Sequence, residues 1–385
     1  MIRIIDTNMD KQKLKIAIVH DYLNEFGGAE RVLLALSEIW PDAPIYTSFY
    51  KEGSLAYERF KNKKIVTSWV HNIPFFNKYL HSPLRFLAPL IWGSFDFSKY
   101  DVVVSSASWY MTKGFGTRGT NKQKPIEVCY CHTPPRWLYG FKTSVNLQKY
   151  WPFRFYSKVV GYFMRIYDYS AAQKVNYFIA NSNNVAQRIE KYYRRESTVI
   201  YPPVDITKIS RVQKGNYYLI ISRIVGAKGI DLAIKTAVKL GLNLKIAGAP
   251  AGYSAEYKKL KNLSGDRVRF LGHVSDLELS GLYANAKAFL ALSTDEDFGI
   301  TPVESMMAGT PVIAFRGGGY VESVVENKTG VFFDEPTVES LSNAVKQFEK
   351  MKFSSADCIT QAKKFSKDRF KKEMLEFVNT HARTS

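Results

Sequence analysis

Residues 288–315 read AFLALSTDEDFGITPVESMMAGTPVIAF. An apolar run, Ala288–Leu292, leads into a polar turn, a short helical pattern over Pro302–Ala308, and a β-branched run, Val312–Phe315. Strand, helix and strand in such short compass are the mark of a βαβ unit on a parallel sheet. Thr301 stands where a helix N-cap is wanted, Pro302 suits the first helical position, and Glu304 completes a capping box. Glu304 therefore has a structural reading beside any functional one. Glu296 has none. It ends a strand ahead of a turn, aimed at whatever lies beyond the carboxyl edge of the sheet.

The same alternation extends outward in both directions. Before the quoted stretch come strand patterns at Leu14–His20, Asp101–Ser105, Glu127–Cys131, Tyr177–Ala180, Thr198–Tyr201, Tyr218–Ser222, Leu244–Ala247 and Val268–Leu271. Helical patterns fall between them at Ala29–Trp40, Val185–Tyr193, Gly229–Leu240 and Asp276–Ala284, and the tail, Ser354–Thr384, is helical and basic. Pro202-Pro203 ends a strand and cannot continue a ladder, which makes it the expected hinge. The chain thus divides into a disordered start at 1–12, a first α/β domain at 13–203, a second at 204–365, and a terminal helix at 366–385 expected to return to the first domain. Two such halves place a ligand cleft between them, at the carboxyl ends of their strands.

With 385 residues, 46 % hydrophobic and 23 % charged, the chain is globular and long enough for two domains. No apolar run reaches the roughly 20 residues a membrane span needs; the best, Phe86–Trp92, contains Pro89. Met1–Lys15 is too polar for a secretory signal. Three cysteines, Cys129, Cys131 and Cys358, form neither a disulfide framework nor a zinc set, which fits a reducing, cytoplasmic setting. The net charge is +19, and residues 1–200 carry 28 Lys+Arg against 15 Asp+Glu while residues 201–385 carry 26 against 20. The first half therefore expects a polyanionic partner.

Several constellations carry chemistry. Gly299 before the second-half helix lets backbone amides approach an anion, and Glu296 can accept hydroxyl donors. Arg223 and Lys228, in the loop after Tyr218–Ser222, read either as solvated loop charge or as a diphosphate clamp. Gly27-Gly28 reads as a tight turn or as amides open to a phosphate or sugar. His132 ends a strand inside the stiff stretch Cys131-His132-Thr133-Pro134-Pro135-Arg136-Trp137. Two patterns carry little. Gly114–Gly119 fits G-x-G-x-x-G but no apolar helix follows it. Asp295-x-Asp297 could suggest a metal, yet it runs straight into the Phe298-Gly299 turn. Residues 51–170 interleave cations with aromatics, as in Lys61-Asn62-Lys63-Lys64 and Tyr150–Lys158, a composition suited to anionic lipid or to single-stranded nucleic acid.

Together these residues resemble the retaining glycosyltransferases of family 4, from about Lys15 to Phe377. The specific elements are the two acids Glu296 and Glu304 and the following Ala308–Ala314; the stretches YCHTPPRWLY and DEDFGITPVESMMAGTPVIAFRGGG look most like the bacterial polysaccharide and lipopolysaccharide mannosyltransferase branch. The resemblance implies the GT-B fold, two Rossmann-like domains with parallel sheets facing across a cleft. It implies that Glu296 binds donor-sugar hydroxyls, Glu304 the ribose, and Arg223 and Lys228 the diphosphate. Backbone amides of Phe298, Gly299, Ile300 and Thr301 would complete the cradle, Gly27 and Gly28 would border donor and acceptor, and His132 would sit near the reacting carbon. Val274 would touch the base, and Arg136 would lie on the acceptor side. Ala249, in Gly248–Gly252, departs from the acidic or polar residue common in the family.

The leading expectation is transfer of mannose from GDP-mannose to a lipid-linked or cell-surface glycan, peripherally on the inner face of the plasma membrane. It involves no metal or other cofactor and no nucleic acid. A UDP- or TDP-sugar donor (glucose, galactose, rhamnose) is the alternative within that chemistry. A nonenzymatic lipid- or nucleic-acid-binding protein is the alternative outside it.

Overall fold

The computed structural model describes residues 14–116, 125–141, 151–205, 215–224, 228–249 and 254–382. Residues 1–12, Thr117–Gly119 and Pro250–Gly252, on which three of the readings above fall in whole or part, lie outside the described residues.

The first lobe is a seven-stranded sheet of β1 (Ile16–His20), β2 (Ile45–Thr47), β3 (Ile65–Thr67), β4 (Val102–Ala107), β5 (Ile126–Cys131), β6 (Tyr177–Ala180) and β7 (Thr198–Val199). Its order is β3-β2-β1-β4-β5-β6-β7, and its pairs are parallel. The second lobe holds β8 (Tyr218–Ile221), β9 (Leu244–Ala247), β10 (Val268–Gly272), β11 (Ala288–Ala291), β12 (Val312–Phe315) and β13 (Gly330–Phe333). Their order, β10-β9-β8-β11-β12-β13, is parallel throughout. Strands such as Val102–Ala107 are continuously buried, because a parallel sheet is covered on both faces. Both sheets reverse their winding direction once, between β1 and β4 and between β8 and β11. Ligands of such sheets sit outside the carboxyl ends of the strands at that reversal.

The second-lobe helix begins earlier than the sequence suggests. It spans Ile300–Met307, and its N-cap is Gly299 at φ +88°, not Thr301. The capping box is therefore absent, because the left-handed glycine starts the helix two residues upstream and turns Glu304 away from the first turn. Residues Gly114–Gly116, the start of the discounted glycine pattern, wrap an internal group. Their amides donate to the buried Glu127 carboxylate at 2.9, 2.7 and 3.1 Å, and Ser105 Oγ adds a fourth donor at 2.7 Å.

The chain passes from the first core at Ile200 to the second at Val204, where Val204 N–H donates to Phe365 O at 2.9 Å. It then returns. The helix Lys367–Ala382 buries Phe370, Met374 and Val378 in the first-lobe core, beside the helix Gly28–Ile39. All three cysteines are buried thiols, outside any disulfide. Among the described residues, no helix is long and apolar enough to cross a membrane.

Candidate active site

A cavity of about 560 Å³ opens between the lobes at the two winding reversals. It is lined by the loops after β1, β4 and β5 on one side and after β8 and β11 on the other. Gly27, Gly28, His132, Arg136, Arg223, Lys228, Glu296, Phe298, Gly299, Ile300, Thr301 and Glu304 all border it. Val274 does not; it stands between β10 and the helix Asp276–Asn285.

Lys228 and Glu296 come together within the second lobe, Nζ donating to Oε2 at 2.7 Å, and the Tyr320 hydroxyl reaches the same oxygen at 3.4 Å. A Cβ on Gly299 would meet the Tyr320 ring at 2.5 Å, so the left-handed turn and this ring leave no room for a side chain. Arg223 spans the lobes to Glu25 at 3.1 Å; both are largely exposed. Glu304, buried, accepts from Arg31 of the first lobe and from the Tyr283 hydroxyl, the latter at 2.7 Å. A Cβ on Gly28 would lie 3.1 Å from Ile300, so two helix N-termini converge on the cavity from opposite lobes. Each brings the positive end of a helix dipole to the cavity.

Four residues that close the cleft form a charge cluster that sequence reading only half located. Arg136 donates to Asp295 Oδ2 at 3.0 Å, Asp297 Oδ1 at 2.7 Å and the Asp295 carbonyl at 2.7 Å. Arg188, on the helix Asn183–Tyr193, donates to Asp297 Oδ1 at 2.5 Å and Asp295 Oδ1 at 2.6 Å. The D-x-D carboxylates thus face two guanidiniums from the other lobe. Ser182 Oγ and Asn184 Nδ2 add bonds to the carbonyls of Asp297 and Glu296, at 2.6 and 3.0 Å.

His132 belongs to a buried relay. Its Nε2 lies 2.8 Å from Ser106 Oγ, which lies 3.0 Å from His20 Nδ1. The other nitrogen of His20 is 3.6 Å from Glu30 Oε1, and Glu30 Oε2 accepts from Gly27 N–H at 2.8 Å. Burial, then the neighbouring His20, pushes His132 down to about 3, so its imidazole is neutral at ordinary pH. Burial alone would raise Glu30, yet His20 and the Gly27 amide hold it below the usual carboxylate range. Ser106 has one proton for two rings, so it donates to one and accepts from the other. With the His20 Nε2–H turned to Glu30, Ser106 donates to His20 and His132 donates from Nε2. The remaining nitrogen of His132 is then an acceptor.

Two adjoining family models cover most of the chain. "Glycosyltransferase Family 4" matches residues 26–208, and "Glycosyl transferases group 1" matches residues 204–365. This chain is a family 4 glycosyltransferase. The transferase is 26 % identical to the alpha-1,3/1,6-mannosyltransferase ALG2 of Dictyostelium discoideum, over 87 % of this chain and 89 % of that one. It is 25 % identical to ALG2 of Mus musculus, over 91 % and 93 %. Among solved structures it resembles Anabaena Alr3699/HepE in complex with UDP and glucose, with TM-score 0.71 and 18 % identity, covering 95 % of this chain and all of that one. The fold of the transferase is GT-B, as the sequence led us to expect.

Proposed function

We propose that this transferase moves mannose from GDP-mannose, with retention, to a hydroxyl of a lipid-linked glycan held at the cytoplasmic membrane face. The observation that carries the reading is the convergence of Lys228, Arg223, two helix N-termini, Glu296 and His132 on one interlobe cavity. The donor diphosphate takes Lys228 from Glu296, and a sugar hydroxyl then donates to the freed carboxylate. Arg223 leaves its exposed partner Glu25 for the same diphosphate. Glu304, sharing Arg31 and Tyr283, accepts from the ribose. The His132 acceptor nitrogen takes a hydrogen bond from the hexose beside the reacting carbon.

In the transfer itself, the anomeric carbon–oxygen bond to the diphosphate breaks with its electron pair on the leaving oxygen. The acceptor oxygen attacks from the same face, and its proton passes to the departing phosphate. The two cations and the helix N-termini stabilise the developing charge, so the reading calls for no metal. The mannosyl assignment draws on the activity printed for the ALG2 relatives.

A thermal-shift panel of GDP, UDP, TDP and their sugars tests the donor. At 100 times the dissociation constant the cognate nucleotide adds about 2.7 kcal/mol. A shift with UDP- or TDP-sugars and none with GDP-mannose replaces the donor while keeping the chemistry. Release of GDP from GDP-mannose that depends on a lipid-linked acceptor tests the transfer.

A further inference from the structure

The helix Trp151–Lys174 has two unlike faces. Val160, Met164 and Tyr167 pack into the first-lobe aromatic core, and Asp168 is buried against Lys113 and the Tyr139 hydroxyl. The opposite face carries Trp151, Phe155, Tyr162, Phe163, Ile166 and Tyr169, between 38 and 77 % exposed. At 100° per residue these six fall within an arc of about 120°, an unbroken apolar ridge along the outside of the helix. The helix is pinned through Tyr156, whose hydroxyl donates to the Pro83 carbonyl, to a segment that exposes Phe75, Tyr79, Phe86 and Leu90.

We infer that this ridge is the surface by which the transferase docks on an anionic bilayer. The charge around it selects that partner. The helix exposes Arg154, Lys158, Arg165 and Lys174, and its one acid, Asp168, is buried. The neighbouring chain has no Asp or Glu between Glu58 and Asp96. Aromatic side chains seated at the headgroup level with cations beside them are what an interfacial helix needs.

The pinned segment beside the ridge also reaches the cleft. Arg85 of the pinned segment stacks between Trp109 and Trp137, 5.1 and 4.7 Å from their centroids, and Trp109 lines the cavity. A glycan on a lipid carrier can reach the cavity past this seam while its tail stays in the bilayer. That consequence rests on the acceptor proposed above; the docking itself does not.

The test is co-sedimentation of the full chain with vesicles of phosphatidylcholine alone or of equal parts phosphatidylcholine and phosphatidylglycerol. The wild type binds the anionic vesicles, and the variant Trp151→Ser/Phe155→Ser/Phe163→Ser binds them at least ~10-fold less. A second variant, Arg154→Glu/Lys158→Glu/Arg165→Glu, loses the preference for phosphatidylglycerol. Both keep the wild-type melting temperature and its response to nucleotide, since every changed residue is exposed. Wild-type protein that stays in the supernatant overturns the proposal, as does a ridge variant that binds equally. A wild-type dimer that the ridge variant dissolves gives the surface to a second copy, and overturns it too. Vesicle binding without turnover of any nucleotide sugar would leave the docking standing and remove the proposed reaction instead.

Discussion

Lys228 Nζ sits 2.7 Å from Glu296 Oε2, so the cation we propose for the diphosphate and the acid we propose for the sugar hold each other. Their loops follow β8 and β11, adjacent strands at the winding reversal of the second sheet. Each group orients the other at the mouth of the cleft.

Because the two act as a pair, their losses overlap. Lys228→Ala and Glu296→Ala should each lower kcat/KM with GDP-mannose by at least ~100-fold. The double variant should fall well short of the product of the two, as residues in one network do. Full multiplicativity in steady-state rates would show that they work independently.

Arg188 bridges Asp295 and Asp297 from the other lobe and also donates to Thr133 Oγ1 at 3.0 Å. Arg188→Met leaves two half-buried carboxylates short of a partner, at a cost of about 1–3 kcal/mol. It also loosens the loop that carries Glu296. Thermal melting should show a lower midpoint, and the donor KM should rise more than kcat falls. A variant with both quantities unchanged would relegate the cluster to surface charge.

Ser106 touches neither cleft ligand nor solvent, yet it sets which nitrogen of His132 bears the proton. Ser106→Ala should reduce kcat about tenfold, the equivalent of one hydrogen bond of ~1.4 kcal/mol. Ser106→Thr, which keeps the hydroxyl, should recover most of it. The ¹⁵N shifts of the His132 ring should move in the alanine variant and return in the threonine one. Unmoved shifts would mean that Ser106 only fills space.

The burial of His132 gives stability a pH dependence of definite sign. Its folded value, about 3, lies below the 6.5 of the free side chain, so the unfolded chain takes up a proton that the native one refuses. This contribution is complete above the unfolded value. It is lost as pH falls from about 6.5 toward 3, at up to ~1.4 kcal/mol per unit. Urea midpoints measured across that range should drop less steeply for His132→Asn than for the wild type. Parallel slopes would contradict the assignment.

What sequence could and could not show follows from the range of each signal. Continuous apolar runs disclosed β4, β8 and β12, because strands buried on both faces carry the pattern within themselves. The three-residue strands Ile45–Thr47 and Ile65–Thr67 carried too little of it, and Gly330–Phe333 also went unread. Glu296, Lys228, Arg223 and the glycine turns were legible because each stands in a local motif. Arg188 was not, since on an amphipathic helix an arginine looks like solvated charge. Nor were His20, Ser106 and Glu30. His20 and Ser106 are Cα partners across β1 and β4, a register that no local pattern encodes.

Periodicity and turn chemistry in the chain alone therefore determined two parallel-sheet lobes with their loops gathered at the strand ends. Tertiary structure decided the pairings: Arg31 with Glu304, Arg136 and Arg188 with the two aspartates, and His132 with Ser106. It also decided which face of the helix Trp151–Lys174 stays bare. The physical reason is that burial patterns repeat every two or three to four residues. A hydrogen bond between groups a hundred residues apart depends instead on strand register and on how closely two lobes approach.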